Sequence, residues 1–382
     1  MSAQPYDVIV AGLGAHGSAT VHELAARGQR VLGLERADVP TTTGSSGGVN
    51  RIIRLAYNED PRYVPLLRRA YERWRSLEQR WGRQLLVITG GLDIGPPGSA
   101  VPEGAIEACR VHELPHEVLD GRETRARFPG LAIPDHHVAV YQPDAGFVMS
   151  EEAIAAHATL ALADGAEIHG HEPVIDWEPE GDGIVVRTER AEYRAARLVL
   201  TAGAWMSRLA APLRELAIPE RQVLVWLAAR RPELFRVGAL PVFIIEEESG
   251  TEWYVFPEYG IPGVKIGLYH HRGQAVDPDA TDWRVLEPED ERILREGVAR
   301  FMPEANGPLL SWRACMFTNT PDEHFILDRY PGYPQVIVAS PCSGHGYKFA
   351  SVIGELLADM AMDREPDFDL SMFRLDRFAA PA

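Results

Sequence analysis

The sequence predicts a mixed α/β protein of two domains, one organised around a parallel βαβ unit and the other around a predominantly antiparallel sheet. With 382 residues, the chain is longer than one ordinary hydrophobic core requires. Strand-like and helix-like segments alternate near its beginning, middle and end, whereas residues 222–317 consist mainly of short strand-like runs. We expect a discontinuous first domain over residues 1–84, 146–216 and 322–382, and a second domain over residues 85–145 and 217–321.

The first domain opens with the pattern of a dinucleotide-binding unit. A strand over 7–10 leads into Gly12, Gly14 and Gly17, a helix over 18–27 ends at Gly28, and a strand over 30–34 ends at Glu35. The G-x-G-x-x-G spacing lets the backbone approach a pyrophosphate, which the helix N-terminus stabilises. Glu35 is placed to accept hydrogen bonds from ribose hydroxyls and would repel a 2′-phosphate. The pattern therefore predicts a Rossmann-like domain.

The remaining elements follow from periodicity and from turn residues. A polar, glycine-rich loop over 41–48 offers donors to phosphates, although a plain flexible loop is nearly as good an interpretation. Apolar residues at helical spacing predict an amphipathic helix over 61–81 that ends at Gly82. Further helices are predicted over 104–110, 150–164, 288–301 and 347–362. Strands are predicted over 174–176, 184–188, 192–194, 198–201, 223–228, 241–245, 252–256, 264–269, 309–318, 325–328 and 336–339.

Composition and charge argue against several classes of function. A net charge of −17 disfavours a nucleic-acid partner, which would require clustered lysine and arginine. No apolar run reaches the ~18 residues of a membrane span, and the first strand begins too early for a secretory signal, so we expect a cytoplasmic protein without a membrane partner. Three cysteines do not indicate a disulfide framework. The histidine pairs 136–137 and 270–271 lack the spacing of metal ligands, so we expect no metal site.

Lysine is almost absent from the chain, which has two lysines and 36 arginines. One interpretation is that Lys265 and Lys348 occupy positions where a guanidinium cannot replace an ammonium. The alternative is that a GC-rich genome has changed most lysine codons to arginine codons and that these two lysines remain by chance. Strand alternation places Lys265 on the face opposite the apolar side chains of its strand, where an exposed lysine is the plain alternative. Lys348 is expected in the first turn of a helix, where the dipole disfavours a cation unless an anion lies nearby.

Cys315 is the cysteine with a suggestive environment. Alternation groups it with Arg313 and Phe317 on one strand face. A lone cysteine is ordinarily a small buried hydrophobe, but cationic neighbours would favour its thiolate, the form that can bond a cofactor.

Six segments, taken together and in this order, carry a specific resemblance. They are VIVAGLGAHGSA from Val8, RIIRLAY from Arg51, AGAW from Ala202, WYVFPEYGIPGVKIG from Trp253, CMFTNTPDEHFILD from Cys315 and SGHGYKF from Ser343. The chain resembles the monomeric sarcosine oxidase and N-methyltryptophan oxidase family of amine-oxidising flavoproteins over nearly its full length. The resemblance implies oxidation of a secondary amino acid by FAD, with O₂ as the acceptor, hydrogen peroxide as a product and a monomeric enzyme.

The resemblance also implies roles for individual residues. Cys315 would bond the flavin through its 8α-methyl group, Lys265 would lie over the flavin as the oxygen-activating group, and Arg51 would border the ring. Arg54 and Lys348 would hold the substrate carboxylate. The substrate pocket would be lined by Tyr254, Ile245, Phe317 and Tyr269. The other cofactor-binding residues would be Gly12, Gly14, Gly17, Glu35, Arg36, Ser45, Ser46, Val174, Ala202, Gly203, Gly344, Gly346 and Lys348.

Departures from the family pattern leave the substrate open. Residues 46–48 replace a loop that usually holds a histidine, Phe317 replaces a tyrosine, and Tyr269 stands where a histidine is expected. A dehydrogenase with another electron acceptor, or an oxidase of proline or pipecolate, remains an alternative. Cys342, beside a glycine-rich turn, is the second candidate for the flavin bond.

Overall fold

The computed structural model describes residues 5–379, which form three sheets and the helices around them. The strands are β1 (Tyr6–Ala11), β2 (Val31–Leu34), β3 (Asn50–Ile53), β4 (Leu86–Ile88), β5 (Gly91–Gly95), β6 (Glu117–Asp120), β7 (Val138–Gln142), β8 (Gly146–Met149), β9 (Glu167–His169), β10 (Asp176–Glu180), β11 (Gly183–Arg187), β12 (Glu192–Leu200), β13 (Ile218–Leu227), β14 (Val242–Glu246), β15 (Glu252–Phe256), β16 (Val264–Leu268), β17 (Leu309–Asn319), β18 (Ile326–Tyr330) and β19 (Tyr333–Ser340). The α-helices are α1 (Ala15–Ala26), α2 (Val64–Trp81), α3 (Ala100–His112), α4 (Gly121–Arg127), α5 (Ser150–Ala163), α6 (Met206–Leu209), α7 (Pro288–Phe301) and α8 (Ala350–Ala361).

The first sheet confirms the predicted parallel arrangement. Strands β9, β2, β1, β12 and β19 are parallel neighbours in this order, and β18 pairs antiparallel with β19 at one edge. The β10–β11 hairpin pairs with the first half of β12. Alternate residues of β1 enter two different cores, since Val8 and Val10 face α1, α5 and α8 while Ile9 and Ala11 pack with Met206 and Leu213. Burial on both faces is typical of a parallel sheet.

The second sheet is predominantly antiparallel, as the sequence predicts. Its strand order is β17-β13-β16-β15-β14-β5-β7-β6, and the β14–β5 pair is its parallel step. One face of β16 packs against α7 through a core that includes Leu294, Val298 and Phe301. A third, small sheet of β3, β8 and β4 brings Arg51 and Ile52 to a cavity that strands of the second sheet also line. Among residues 5–379, no helix combines the length and the apolar composition needed to cross a membrane.

Several predicted boundaries are wrong for local reasons. Residues 174 and 175 are irregular, and the strand predicted over 174–176 runs instead from Asp176 to Glu180. The two strands predicted over 192–194 and 198–201 are one continuous strand, β12. Its first half pairs with β11 and its second half with β1, so that hydrogen bonds to neighbouring strands extend along its whole length. The helix predicted over 347–362 begins with a 3₁₀ turn over Tyr347–Phe349 before α8.

Candidate active site

A large cavity opens at the carboxyl ends of β1, β2 and β12, where the first sheet is expected to bind a dinucleotide. We call it the dinucleotide cavity. Its walls include every implied cofactor residue except three, namely Gly17, Cys315 and Lys348. The predicted residues that line it are Gly12, Gly14, Glu35, Arg36, Ser45, Ser46, Val174, Ala202, Gly203, Gly344 and Gly346.

Gly17 lies behind the cavity wall and has a packing role. A Cβ atom there would stand 1.8 Å from the carbonyl oxygen of Gly12, so any side chain would push α1 away from the turn before it. Gly12 itself has a φ of +96°, which favours glycine. The first and third glycines thus fix the turn that brings the N-terminus of α1 to the cavity.

Polar groups in this cavity fit a dinucleotide. The Glu35 carboxylate accepts hydrogen bonds from the backbone N–H groups of Leu13 (2.8 Å) and Ala37 (3.0 Å), which orient it at the end of β2. Burial raises the pKa of Glu35, against the effect of these hydrogen bonds. The Ser45 hydroxyl oxygen is buried without a hydrogen-bond partner in the structure, and an oxygen-rich ligand would provide one. Arg36 lies over the Trp205 ring, 4.2 Å from its centre, at the cavity edge.

A second cavity adjoins the first, and Arg51, Phe317, Gly344 and Tyr347 contribute to both walls. The second cavity has a volume of about 1430 Å³, including its open mouth. It brings together residues from distant segments that were predicted to act together. These predicted residues are Arg51, Arg54, Tyr254, Lys265, Tyr269, Cys315, Phe317 and Lys348.

Lys265 is buried, with 2% of its surface exposed, so the alternative of an exposed lysine is wrong. Its Nζ donates to the Gly48 carbonyl (2.9 Å), the Asn50 carbonyl (2.6 Å) and the Asn50 side-chain oxygen (2.8 Å). Burial, and then Arg51, lower the pKa of Lys265. Three oxygen acceptors nevertheless match the three N–H donors of an ammonium, whereas a neutral amine has two donors. The hydrogen bonds therefore favour the charged form.

Arg54 is buried and already surrounded by acceptors. It donates to the Ala56 carbonyl at 2.6 Å, to the Asn58 side chain and to Glu59 at 3.1 Å, and Asp93 lies 3.5 Å away. Burial opposes its charge, but Asp93 and Glu59 raise its pKa overall. A ligand carboxylate could pair with this guanidinium by replacing one of these acceptors.

Lys348 lies in the 3₁₀ turn before α8, not in the first α-helical turn as predicted. Its Nζ donates to the His345 carbonyl (2.8 Å) and stands 5.0 Å from the centre of the Tyr57 ring. Trp74 Nε1 donates to the Lys348 carbonyl (2.9 Å), which anchors the turn to α2. Glu59 is the nearby anion that favours the charged form of Lys348 at this position.

Binding of a simple carboxylate such as acetate is expected to weaken as the pH rises through about 7. Burial lowers the pKa of Lys348 to about 7, so its side chain is an ammonium below this pH and a neutral amine above it. Losing a charged hydrogen bond should raise the dissociation constant about tenfold, measurable by calorimetry. In Lys348→Met this pH dependence of acetate binding should be absent. Any pH dependence that remains is then assigned to Glu252, because burial raises the pKa of its carboxyl group to about 7. An unchanged pH profile in the variant would refute the assignment.

Aromatic residues line the second cavity together with the charged groups. Tyr254 lies across Gly267 of the neighbouring strand so closely that a Cβ at Gly267 would be 2.3 Å from its ring and hydroxyl. Tyr269 donates to the Ser343 carbonyl (2.6 Å), and its ring centre is 5.4 Å from that of Phe317. The prediction that Ile245 lines this cavity is wrong. Ile245 is fully buried in the core of the second sheet, and strand alternation turns Ile244 to the cavity instead.

Cationic side chains do lie near Cys315, although burial has the larger effect on the pKa of its thiol. Cys315 is buried in the second cavity, and burial raises the pKa of its thiol despite Arg51, Lys265 and Arg221 nearby. Cys342 lines the dinucleotide cavity, and burial raises the pKa of its thiol to about 11. Geometry therefore keeps both cysteines as candidates.

His136 and His137 have a third neighbour that their spacing did not reveal. Their ligand-capable nitrogens and a carboxylate oxygen of Glu248 lie within 4.8 Å of one another. His136 Nε2 is 2.9 Å from Glu248 Oε1. None of the three lines either cavity.

The polar residues of the second cavity and its surroundings that sequence reasoning missed include Asn50, Glu59, Asp93 and Glu252. Asp93 carried a detectable signal, because it is a lone charge within an apolar strand. Glu59 follows the segment that starts at Arg51, in a polar loop. Asn50 acts through a contact with Lys265 that is 215 residues away along the chain, for which no local pattern exists.

The two cavities together can hold an extended dinucleotide beside a small anionic ligand. Besides Arg51 on the shared wall, cationic side chains lie at two places in the second cavity, Lys265 at one and Arg54 with Lys348 at the other. The same cavity is lined by the aromatic side chains of Tyr254, Tyr269 and Phe317. Such an arrangement suits oxidation of a small carboxylate-bearing molecule.

Comparisons with known proteins agree with this geometry. Residues 7–360 match the family described as FAD dependent oxidoreductase. The chain is 41% identical to the monomeric sarcosine oxidase of Streptomyces avermitilis, with 98% of each chain covered. It is 34% identical to the N-methyl-L-tryptophan oxidase of Escherichia coli O9:H4, with 98% of this chain and 99% of that protein covered. The solved structure of NikD, an unusual amino acid oxidase essential for nikkomycin biosynthesis, superposes with a TM-score of 0.84 at 25% identity, covering 97% of this chain and 98% of that one.

Proposed function

The chain belongs to the FAD dependent oxidoreductase family, and from this premise we propose that it oxidises secondary amino acids, with N-methyl amino acids such as sarcosine as substrates. One observation carries the proposal: Lys265, Arg54 and Lys348 line a single cavity that shares a wall with the dinucleotide cavity. Bound FAD would supply the electron acceptor for oxidation of the carbon–nitrogen bond and the route of those electrons to O₂.

The residues of the dinucleotide cavity are suited to hold FAD. The backbone turn at Gly12 and Gly14 and the N-terminus of α1 would face its pyrophosphate, and Glu35 would accept from its ribose. Ser45, with its unpartnered hydroxyl, would gain a hydrogen bond. Arg51, on the shared wall, is held by the Asn50 carbonyl (2.9 Å) and the Ser45 carbonyl (3.0 Å) and would border the flavin.

Arg54 and Lys348 would bind the substrate carboxylate. A guanidinium can form two parallel hydrogen bonds with a carboxylate, and an ammonium adds a point charge that does not fix the angle. This combination orients the amine end of the substrate toward the shared wall. Tyr254, Tyr269 and Phe317 would pack around its alkyl part and exclude water.

Lys265 would serve the reaction with oxygen. The reduction of O₂ develops negative charge, which a fixed ammonium stabilises without rearrangement. The acceptors on Gly48 and Asn50 hold the Lys265 ammonium in place at the wall formed by Leu224, Phe256 and Cys315.

The direct test is a substrate panel with the purified, FAD-containing protein. We expect hydrogen peroxide release in air with sarcosine and other N-methyl amino acids, and much less with the matched primary amino acids. Activity limited to proline and pipecolate would identify the cyclic-substrate alternative. Turnover with an artificial electron acceptor but without peroxide in air would identify a dehydrogenase and refute the oxidase.

We propose that the flavin is covalently bound through Cys315. This cysteine lines the second cavity with Lys265 and lies near Arg51, a residue that lines both cavities. Removing Cys315 by substitution with serine should leave the acid-precipitated protein colourless, whereas Cys342→Ser should precipitate yellow. The measurement is absorbance of the pellet and of the supernatant. The reverse pattern would assign the bond to Cys342.

We also propose that the chain is a monomer with the two domains predicted from sequence. Of the described residues, 5–84, 146–216 and 322–379 contain the first sheet, and 85–145 and 217–321 contain all eight strands of the second. Light scattering that gives a mass near 42.3 kDa would support a monomer, and twice this mass would contradict it.

A further inference from the structure

The second cavity contains four carboxylate side chains, and three of them have partners. Glu59 pairs with Arg54 at 3.1 Å, Asp322 with Arg377 at 2.7 Å and Glu323 with His270 at 3.0 Å. Glu252 is the fourth. Within the part of the chain from residue 5 to residue 379, its carboxylate has neither an ion pair nor a side-chain hydrogen bond.

The surroundings of Glu252 make an unpaired carboxylate unfavourable. The residue is half-buried, and its nearest charges include Glu59, Glu246 and Glu323, while Arg54 is the attractive charge among them. Burial and these carboxylates raise the pKa of Glu252 to about 7. Glu246 stands opposite Glu252 on β14 but is engaged by the Val101 N–H at 2.8 Å. A cation supplied by a ligand would relieve this environment.

Glu252 also lies at a defined end of the cavity. It shares a face of β15 with Tyr254, because side chains two residues apart in a strand point the same way. Phe256, at the opposite end of β15, pairs with Lys265. Glu252 is therefore roughly 7 Å beyond Tyr254, in the direction away from Lys265. A substrate whose amine reacts near Lys265 would extend its side chain toward Glu252.

We propose that Glu252 is a specificity-determining residue that binds a positively charged group on the substrate side chain, so that the preferred substrates are secondary amino acids with a basic side chain. This inference rests on the proposed function. A substrate of this class satisfies both signs of charge in the cavity, with its carboxylate at Arg54 and Lys348 and its side-chain cation at Glu252. A neutral side chain of the same length leaves Glu252 unpaired.

The test compares two substrates that differ in one charge, Nα-methyl-L-lysine and Nα-methyl-L-norleucine. The wild-type kcat/KM, from peroxide release at a pH well above 7, should favour the lysine derivative by about tenfold or more. Glu252→Gln should bring the ratio close to one, because it removes the charge that distinguishes the two substrates. Glu248→Gln, which alters an exposed carboxylate outside the cavity, should keep the wild-type ratio. Equal wild-type values for the two substrates, or a ratio that survives Glu252→Gln, would overturn the inference.

Binding separates this inference from the proposed function. Calorimetry with L-lysine and L-norleucine measures the preference for the side-chain cation without any oxidation. A preference for L-lysine that Glu252→Gln removes supports the role of Glu252 even where no N-methyl amino acid is oxidised, an outcome that would refute the oxidase alone. Equal affinities in a protein that oxidises sarcosine would leave the oxidase standing and overturn the role of Glu252.

Discussion

Replacement of Lys265 by methionine is expected to slow the reaction with oxygen by about 10²- to 10³-fold and to leave amine oxidation nearly unchanged. Methionine keeps most of the unbranched length of the side chain but removes the three donors that meet Gly48 and Asn50. The fixed positive charge is lost, and with it the stabilisation of negative charge on oxygen. Rapid mixing of the reduced enzyme with air-saturated buffer measures the reaction with oxygen. Anaerobic mixing of the oxidised enzyme with sarcosine measures amine oxidation.

Lys348→Met is the matched control, because it removes the other lysine of the same cavity. It should impair anaerobic reduction by sarcosine and leave reoxidation at the wild-type rate. The two variants thus affect opposite halves of the cycle. Wild-type reoxidation in Lys265→Met would remove this residue from the oxygen reaction, provided that the variant retains its flavin and its melting temperature.

Replacement of Arg54 by methionine is expected to lower kcat/KM for sarcosine by about 10²- to 10⁴-fold. Two charge-assisted hydrogen bonds to the substrate carboxylate are lost, each worth ~1.5–3 kcal/mol. Steady-state peroxide release measures the effect. For sarcosinamide, which lacks the carboxylate, the decrease in kcat/KM caused by Arg54→Met is expected to be much smaller.

Arg54→Lys addresses the risk that Arg54→Met fails to fold, since removing the guanidinium leaves Glu59 and Asp93 buried without their cation. Lysine keeps the charge but not the fork of donors, so its activity should lie between wild type and methionine. Equal losses with sarcosine and with its amide in both variants would show that Arg54 supports the fold and does not bind the carboxylate.

Features set by neighbouring residues were predictable from the sequence. The strand, turn and helix around Gly12 and the end of α1 at Gly28 follow from backbone conformations that glycine permits, and the structure has both. The helix that ends at Gly82 was predicted for the same reason. The family resemblance indicated which distant segments act together at one site. The two lysines were noticed because the chain has so few.

Features set by distant residues were not predictable. Alternation gave the correct face for Lys265, but its burial depends on residues 48–50, which cover it. The exchange of Ile245 for Ile244 is an error of one residue, which reverses the direction of a strand side chain. The thiol of Cys315 was judged from the charges beside it, whereas its burial has the larger effect.

The contact between Arg54 and Glu59 has a consequence for ligand affinity. An incoming acid has to displace Glu59 from one side of the guanidinium, so its measured affinity is lower than the hydrogen bonds that it forms would give. Competition with Glu59 lowers the affinity for every carboxylic acid by the same amount. Discrimination among them must therefore come from the rest of each molecule, and weak binding of the smallest acids is the expected behaviour of this pocket.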